Sequence, residues 1–384
     1  MLRKFTLKNY KNFKDEINIE FENIAGYQFS TDCVTDGVIS KMLIYGRNAT
    51  GKTNLGKALM DITSTMFRGA AFRNDGVFLN ADSTEKSATF SYLFEFGGRE
   101  LLYKYNRFSS QELQDEELII DGISIFKCDF VAGEYNFDNL KYVQAETAVT
   151  DRYLQSLNVD EQTEEVLEPQ LPFLRWLIGN VALNNESILI RLANYVQRMN
   201  RIAVSGMLMH RPSKMNQQFF ESLENNERLR DFEEFLNTMG IECQLELKQL
   251  PDGDRELYFK HNKLVPFYEN ASSGTMAIVD LYRRLFFRGW DPSFIYLDEF
   301  DAFYHYEMAE NVIRFFKKRY PKCQIVMTSH NTNLMTNRLM RPDCMFIFSG
   351  AGTLTALCDA TNRELREGHN LEKMYISGEF EKYE

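Results

Sequence analysis

Apolar and polar residues near the start of the chain alternate with the period of β-strands. Ile17, Ile19 and Phe21 are separated by polar residues, a pattern typical of a strand with one buried face. Residues 42–45 are instead uniformly apolar, which suits a strand buried on both faces of a parallel sheet. In residues 53–67 the apolar positions recur every three or four residues, as on one face of a helix. A buried strand followed by such a helix predicts an α/β architecture.

Alternating segments joined by turn residues predict antiparallel β-structure beside this unit. Residues 90–96 and 101–105 flank Gly97-Gly98, a pair that favours a tight turn. Two further hairpins are predicted within residues 113–127, around Asp121-Gly122, and within residues 241–260, around Asp252-Gly253.

The chain changes character between residues 146 and 240. This part has few glycines and helix-like spacing, and its last helical pattern, residues 219–239, stops at Gly240. Uniformly apolar runs then return at residues 294–297 and 325–328, as in a parallel sheet. We therefore predict a mixed α/β fold in three parts: an N-terminal lobe (1–145), a helical insertion (146–240) and a C-terminal lobe (241–384).

Size and composition narrow the classes of protein that fit. The chain has 384 residues, enough for two or three domains, and a net charge of −11, which excludes a protein that coats DNA through its whole surface. Its six cysteines form no C-x-x-C pair, as expected of a reduced protein of the cytoplasm. No apolar run approaches the roughly 18–20 residues that span a bilayer, and no signal-peptide-like stretch follows Met1, so no membrane partner is expected.

Residues 46–53 read GRNATGKT and match the phosphate-binding pattern G-x-x-x-x-G-K-T. Glycines let backbone N–H groups surround phosphate oxygens and lead into a helix N-terminus. Lys52 is expected to reach the β- and γ-phosphates of ATP, and Thr53 to ligate Mg²⁺. The predicted nucleotide-binding residues of this loop are Gly46, Asn48, Gly51, Lys52, Thr53 and Asn54.

Two acids end the apolar run at residues 294–297. Asp298 is expected to hold Mg²⁺, and Glu299 to orient or deprotonate the attacking water. Such a pair is weak evidence alone, but it gains weight from a phosphate loop in the same chain. The long interval between Lys52 and Asp298 indicates that a segment is inserted between the two halves of the site, which a compact P-loop kinase or small GTPase rarely has.

Two shorter segments gain meaning from their position. Ser272-Ser273-Gly274-Thr275 precedes a helical pattern, where a serine and free backbone N–H groups can bind an anion, although most such segments are helix caps. His330 follows Thr328-Ser329 at the end of the next apolar run, and a lone histidine at such a place is usually structural.

The order of these segments resembles that of ABC-type ATPases of the SMC/RecF kind. More narrowly, it is similar to the AAA15/AAA21 or AbiLi-type ATPases of bacterial anti-phage and abortive-infection systems. The resemblance covers most of residues 1–145 and 240–384. It is carried by residues 7–13 (LKNYKNF), 46–53, 272–275, 298–301 followed by His305, 328–331, and 373–378 (KMYISG).

The resemblance implies that two chains share each ATP site. Ser272, Ser273 and Gly274 of one head would meet the γ-phosphate held at Lys52 of another, with Asp301 at the interface. His330 would then sense the γ-phosphate. Ser273 stands where the family signature usually has its second glycine, and the family's Q-loop glutamine cannot be placed, with Gln144 and Gln155 as candidates.

The resemblance leaves more than one function open. The leading one is an ATPase that assembles through ATP-dependent pairing of heads, as a homodimer or larger, and controls a separate effector such as a nuclease or toxin in phage defence. The alternative is a RecF- or SMC-like ATPase of DNA repair or maintenance, and a third is a small-molecule P-loop kinase, against which the signature segment and His330 argue.

Residues 171–214 carry six basic residues and a single acid. Arg191 and Arg198 are seven apart and would share a helix face, so with Arg201 they form a candidate surface for nucleic acid or an acidic partner. The alternative is a solvated face whose arginines pair with the acids of residues 160–168.

Overall fold

Two large β-sheets, one antiparallel and one mostly parallel, organise the chain in a computed structural model that describes residues 1–67, 76–157, 170–203, 214–251, 253–286 and 291–383. Helices connect and cover them, and their apolar faces contribute to one cluster of buried side chains. The predicted α/β fold with an antiparallel subdomain and a helical region is confirmed.

The antiparallel sheet has seven strands in the order β10-β9-β8-β7-β6-β1-β2. Along β6 every second side chain is buried, including Phe90, Tyr92 and Phe94, because alternate residues of a strand face opposite sides. The hairpin predicted around Gly97 and Gly98 is confirmed, and both glycines have positive φ. The strands are β1 (Leu2–Lys8), β2 (Ile17–Glu20), β6 (Ala88–Phe96), β7 (Arg99–Arg107), β8 (Leu113–Ile120), β9 (Ile123–Asp129) and β10 (Glu134–Asn136).

The second sheet has six strands in the order β11-β15-β16-β5-β17-β18, parallel except for the last pair. All residues of its three central strands are buried, which explains the apolar runs at residues 42–45, 294–297 and 325–327 within them. The strands are β5 (Lys41–Tyr45), β11 (Met199–Ala203), β15 (Phe294–Asp298), β16 (Gln324–Ser329), β17 (Met345–Phe348) and β18 (Leu354–Ala356).

One strand of this sheet comes from the predicted helical insertion. β11 pairs with β15 in parallel, although it lies far earlier in the chain. The sequence did not reveal it, because Asn200 and Arg201 interrupt its apolar residues. The other described elements of residues 146–240 are the helices α3 (Thr150–Leu157), α4 (Phe173–Asn180), α5 (Ile188–Gln197), α6 (Lys214–Leu223) and α7 (Asn226–Thr238).

The helix predicted for residues 53–67 is divided in two at Met60. α1 spans Lys52–Leu59 and α2 spans Asp61–Met66. The hydroxyls of Thr63 and Ser64 donate to the carbonyls of Met60 and Asp61, at 2.7 and 2.8 Å. Such local bonds compete with regular helix geometry, which accounts for a break that apolar spacing cannot predict.

The remaining elements are short sheets and covering helices. They are β3 (Val34–Thr35), β4 (Val38–Ile39), β12 (Leu245–Gln249), β13 (Arg255–Lys260), β14 (Leu264–Pro266), α8 (Phe267–Asn270), α9 (Ser273–Phe286), α10 (Tyr306–Arg319) and α11 (Leu371–Ile376). The hairpin predicted within residues 241–260 corresponds to β12 and β13. Among the helices of the described ranges, none combines the length and the apolar character needed to cross a bilayer.

Candidate functional site

The predicted site residues meet at one edge of the parallel sheet. β5, β16 and β15 are parallel neighbours, so the segments that follow their carboxyl ends lie side by side. The phosphate loop follows β5, Asp298 ends β15 and His330 follows β16. The N–H of Gly46 lies 3.4 Å from the carbonyl oxygen of Ser329, which ties the loop to β16.

The phosphate loop bends through backbone conformations that favour glycine. Gly51 has φ 107° and Ala49 has φ 65°, and α1 begins directly after Gly51. A Cβ on Gly51 would lie 2.1 Å from the amide nitrogen of Asn12. Asn12 Nδ2 donates to the carbonyl of Thr50 at 3.2 Å and Asn12 Oδ1 accepts from Asn54 at 2.7 Å. Asn12, which belongs to the motif at residues 7–13, thus stabilises the loop through these two hydrogen bonds.

Lys52 lies inside the loop, with 3% of its surface exposed. Its Nζ donates to the carbonyl oxygens of Gly46 and Arg47 at 2.7 and 2.9 Å, and lies 3.9 Å from Glu299 Oε1. Burial lowers the pKa of Lys52, while the nearby carboxylates, led by that of Glu299, act in the opposite direction. The amino group therefore lies between the loop and the acid pair, a position compatible with the predicted contact to phosphates.

Asp298 is 5% exposed at the end of β15. Its Oδ2 accepts from Arg201 Nη2 at 2.7 Å, and its Oδ1 lies 3.4 Å from the hydroxyl of Thr328. Tyr296, two residues earlier, donates its hydroxyl to the carbonyl of Lys52 at 2.5 Å. Arg201 is the residue of this site that the sequence did not indicate, because it looks like part of a basic surface.

Glu299 occupies a strained backbone position, with φ 47° in the left-handed region that side chains other than glycine rarely adopt. Its N–H donates to the hydroxyl of Thr328 at 2.8 Å, which fixes the turn. Its side chain is 43% exposed, so a water molecule can reach the carboxylate. Strain of this kind needs support from neighbouring structure, and Thr328 of β16 provides it.

Asp301 and His330 follow the same two strands but differ in exposure. Asp301 Oδ2 accepts from the hydroxyl of Ser329 at 2.7 Å, and the residue is buried. Burial raises the pKa of Asp301, and the bond from Ser329 opposes that shift. His330 is exposed at the end of β16. Asp301 thus has an internal partner in this chain, and its place at an interface between heads stays a prediction.

The predicted signature lies at the start of α9, on the surface. Ser272 and Ser273 are exposed, and Ser272 Oγ accepts from the N–H of Thr275 at 3.1 Å, which caps the helix. A Cβ on Gly274 would meet the carbonyl oxygen of Phe303 at 3.3 Å. The signature therefore packs against the turn that follows the acid pair, and only a small residue fits that contact easily.

A cavity of about 260 Å³ opens beside the phosphate loop. Asn48 and other residues of the loop line one side, and Phe348, Gly350 and Tyr375 line the other. Tyr375 lies on α11, within the C-terminal motif at residues 373–378. The C-terminal motif and the phosphate loop therefore line the same cavity.

The candidate basic surface is not formed by all three predicted arginines. Arg201 belongs to β11 and pairs with Asp298, so its assignment to that surface is wrong. Arg191 pairs with Glu186 and Arg198 with Asp291, in both cases with exposed acids. The acids of residues 160–168, the alternative partners, lie outside the described residues.

The two candidate Q-loop glutamines lie outside the parallel sheet. Gln144 follows a 3-10 helix formed by Leu140–Val143, and Gln155 lies on α3; both are exposed. The residues that approach Asp298 from the two neighbouring strands are Arg201 of β11 and Thr328 of β16, and neither is a glutamine.

The donor groups at the sheet edge suit a magnesium nucleotide. Thr53 is exposed one residue after Lys52, and within the described ranges Asp298 Oδ1 has only a long contact, to the hydroxyl of Thr328. Hydroxyl and carboxylate oxygens are ligands that Mg²⁺ prefers, directly or through water. The loop with Lys52 suits the phosphates.

The model of a protein family described as "AAA domain, putative AbiEii toxin, Type IV TA system" matches residues 41–336. The chain belongs to this AAA family. The matched region starts with β5 and extends past β16, so it contains the phosphate loop, the signature, the acid pair and His330. The resemblance inferred from these motifs is confirmed.

Solved SMC heads are similar to this AAA-family chain. An SmcHead bound to the C-winged helix domain of ScpA has a TM-score of 0.47 at 14% identity, covering 93% of this chain and 97% of that one. The SMC head domain from Thermotoga maritima has a TM-score of 0.42 at 15% identity, covering 92% and 98%. No curated protein matches the chain.

Proposed function

We propose that this AAA-family chain binds ATP with Mg²⁺ and hydrolyses it. The observation that carries the proposal is the meeting of Lys52, Asp298 and Glu299 at one sheet edge, with Lys52 Nζ 3.9 Å from Glu299 Oε1. The loop N–H groups and Lys52 would hold the phosphates, while Thr53 and Asp298 would hold Mg²⁺. The metal, when bound, neutralises charge that develops on the phosphate oxygens.

Glu299 is the proposed general base. Its carboxylate is accessible to water, and its backbone is fixed by Thr328, so it can hold an attacking water in one orientation. His330, exposed at the end of β16, would contact the γ-phosphate.

Pairing of two heads would complete each site. Ser272, Ser273 and Gly274 are accessible at the start of α9, where a backbone N–H group and hydroxyls can meet a phosphate of another chain. Their contact with the turn at Phe303 and Tyr304 would pass the presence of that phosphate to the segment just after Glu299. Assembly would then depend on ATP, and hydrolysis would reverse it.

The proposed biological role is that of a sensor or scaffold in phage defence that controls a separate effector, a nuclease or toxin. Its support is the family description, which refers to a toxin and a toxin–antitoxin system, together with the motifs that are similar to abortive-infection ATPases. The described site holds the groups for nucleotide chemistry, so the toxic activity is assigned to another protein.

Phosphate release by the purified chain tests the activity. We expect ATP- and Mg²⁺-dependent release in the wild type, and loss of both ATP binding and release in Lys52→Ala, because the buried amino group is the charge that meets the phosphates. Lys57→Ala, on the same helix α1, is the matched control and should behave as wild type. A wild type that binds no ATP, or a Lys52→Ala protein that hydrolyses it normally, contradicts the proposal.

A further inference from the structure

Arg201 reaches Asp298 because of the register between two parallel strands. Arg201 of β11 lies beside Tyr296 of β15, and Ala203 lies beside Asp298. Residues two apart on a strand share a face, so Arg201, Tyr296 and Asp298 all face the same side. That side is covered by the start of α1, since the Tyr296 hydroxyl donates to the carbonyl of Lys52. The arginine is therefore built into the nucleotide site.

The guanidinium supplies the ion pair of a buried carboxylate. Arg201 Nη2 lies 2.7 Å from Asp298 Oδ2, and the arginine side chain is itself only 18% exposed. Lys52 does not form a short ion pair with Asp298, because its amino group donates to the carbonyl oxygens of the phosphate loop. Arg201 Nε has no hydrogen-bond partner among the residues that the structure describes, so the guanidinium is incompletely satisfied.

We infer that Arg201 is a positioning residue that competes with Mg²⁺ for Asp298 and so limits how strongly the metal tightens ATP binding. The inference rests on the proposed function. A carboxylate already paired with a guanidinium offers less net charge to a dication, and the two cations repel each other. Arg201 occupies Oδ2, whereas Oδ1 has only a long contact to Thr328 among the described residues, so Oδ1 would be the oxygen available to the metal or its waters.

The coupling between metal and nucleotide measures this competition. The dissociation constant of a fluorescent ATP analogue is measured in EDTA and in Mg²⁺. The coupling is the constant in EDTA divided by the constant in Mg²⁺, so a larger coupling means that the metal tightens binding more. In Arg201→Gln, which keeps a donor for Asp298 but loses the charge, we expect a coupling larger than that of wild type by about tenfold. Arg201→Lys keeps the charge but loses the planar fork, so its coupling should fall between the two.

Arg198→Gln is the matched control. Its guanidinium pairs with the exposed Asp291, so its loss should leave the coupling at the wild-type value. A coupling at or below wild type in Arg201→Gln, or in Arg201→Lys if the glutamine variant does not fold, overturns the inference. If the wild type binds the analogue in neither condition, the proposed function itself is wrong. If the wild type binds and Mg²⁺ tightens it while the Arg201 variants do not differ, only the inference fails.

Discussion

Two buried arginine–aspartate pairs, one between the antiparallel sheet and α2 and one in the parallel sheet, show how similar chemistry serves different purposes. Asp61 Oδ2 accepts from Arg107 at 2.6 Å, from the Tyr105 hydroxyl at 2.8 Å and from the Thr65 hydroxyl at 3.2 Å. In the part of the chain that the structure describes, Asp298 has one short partner, Arg201. The first carboxylate receives three hydrogen bonds, all at Oδ2, whereas the second receives one short bond and keeps more acceptor capacity.

The surroundings of the two pairs differ in the same sense. Glu116, a buried residue of β8 in the antiparallel sheet, accepts from the Tyr103 hydroxyl at 2.7 Å and from the N–H of Phe173. At the carboxyl-terminal edge of the parallel sheet, Asp301 Oδ1 and the hydroxyls of Tyr45 and Tyr304 are buried without hydrogen-bond partners in the described ranges. The contrast does not extend to the arginines, because Arg107 Nε, like Arg201 Nε, has no hydrogen-bond partner among the described residues. It lies in the carboxylates and the hydroxyls around them, and open acceptors beside a strained residue such as Glu299 are typical of a functional site.

The substitution Glu299→Gln should have the largest effect at the carboxyl-terminal edge of the parallel sheet. Removing the base while keeping the shape should lower the hydrolysis rate by roughly 10²- to 10⁴-fold and leave ATP binding intact. Single-turnover phosphate release and ATP binding, measured on the same preparation, separate the two effects. Glu307→Gln, at the exposed start of α10, is a suitable control that should hydrolyse like wild type. Normal hydrolysis in Glu299→Gln would show that the base is misassigned.

The substitution Arg107→Met in the antiparallel sheet should lower the stability of the protein without changing its affinity for ATP. Loss of one partner leaves Asp61 buried and unpaired, which should lower the free energy of unfolding by about 3–5 kcal/mol. Denaturant unfolding measures it, and ATP affinity of the folded fraction should be unchanged. Arg99→Met, which breaks the exposed pair with Asp121, should hardly move the unfolding midpoint. A change in ATP affinity in Arg107→Met would remove the distinction between the two pairs.

Glu116 should make stability depend on pH. Burial raises its pKa from 4.5 to about 7, so the unfolded chain releases this proton at lower pH than the folded one. The stability due to the protonated group is therefore present at pH 4.5 and lost as the pH rises to 7, by up to about 3 kcal/mol. The difference in the free energy of unfolding between pH 5 and pH 8, measured with urea, should be smaller for Glu116→Gln than for the wild type. Glu117→Gln, on the opposite face of β8, should keep the wild-type difference.

The sequence predicted what depends on local order along the chain. The phosphate loop lies between a uniformly apolar strand and a periodic helix, so Lys52 and Thr53 could be located without the fold. Asp298 and Glu299 could be located because they end a buried strand. These segments meet in space for the general reason that carboxyl ends of parallel strands share one edge.

Arg201 could not be located in this way, because its role depends on a pairing between strands that are distant in sequence. Arg201 stands among arginines that do lie on the surface, and Asn200 and Arg201 hide the apolar period of β11. The break at Met60 escaped prediction for a local reason, since the hydroxyls of Thr63 and Ser64 bond to backbone carbonyls.

The mass of the Glu299→Gln protein in solution tests the proposed ATP-dependent pairing of heads most directly. Analytical ultracentrifugation with Mg²⁺ and either ATP or ADP, at equal protein concentration, compares the two states. We expect the mass in ATP to be at least twice that in ADP, and we expect Ser272→Arg in the same protein to abolish the increase. An unchanged mass in ATP, in protein shown to have ATP bound, would contradict it.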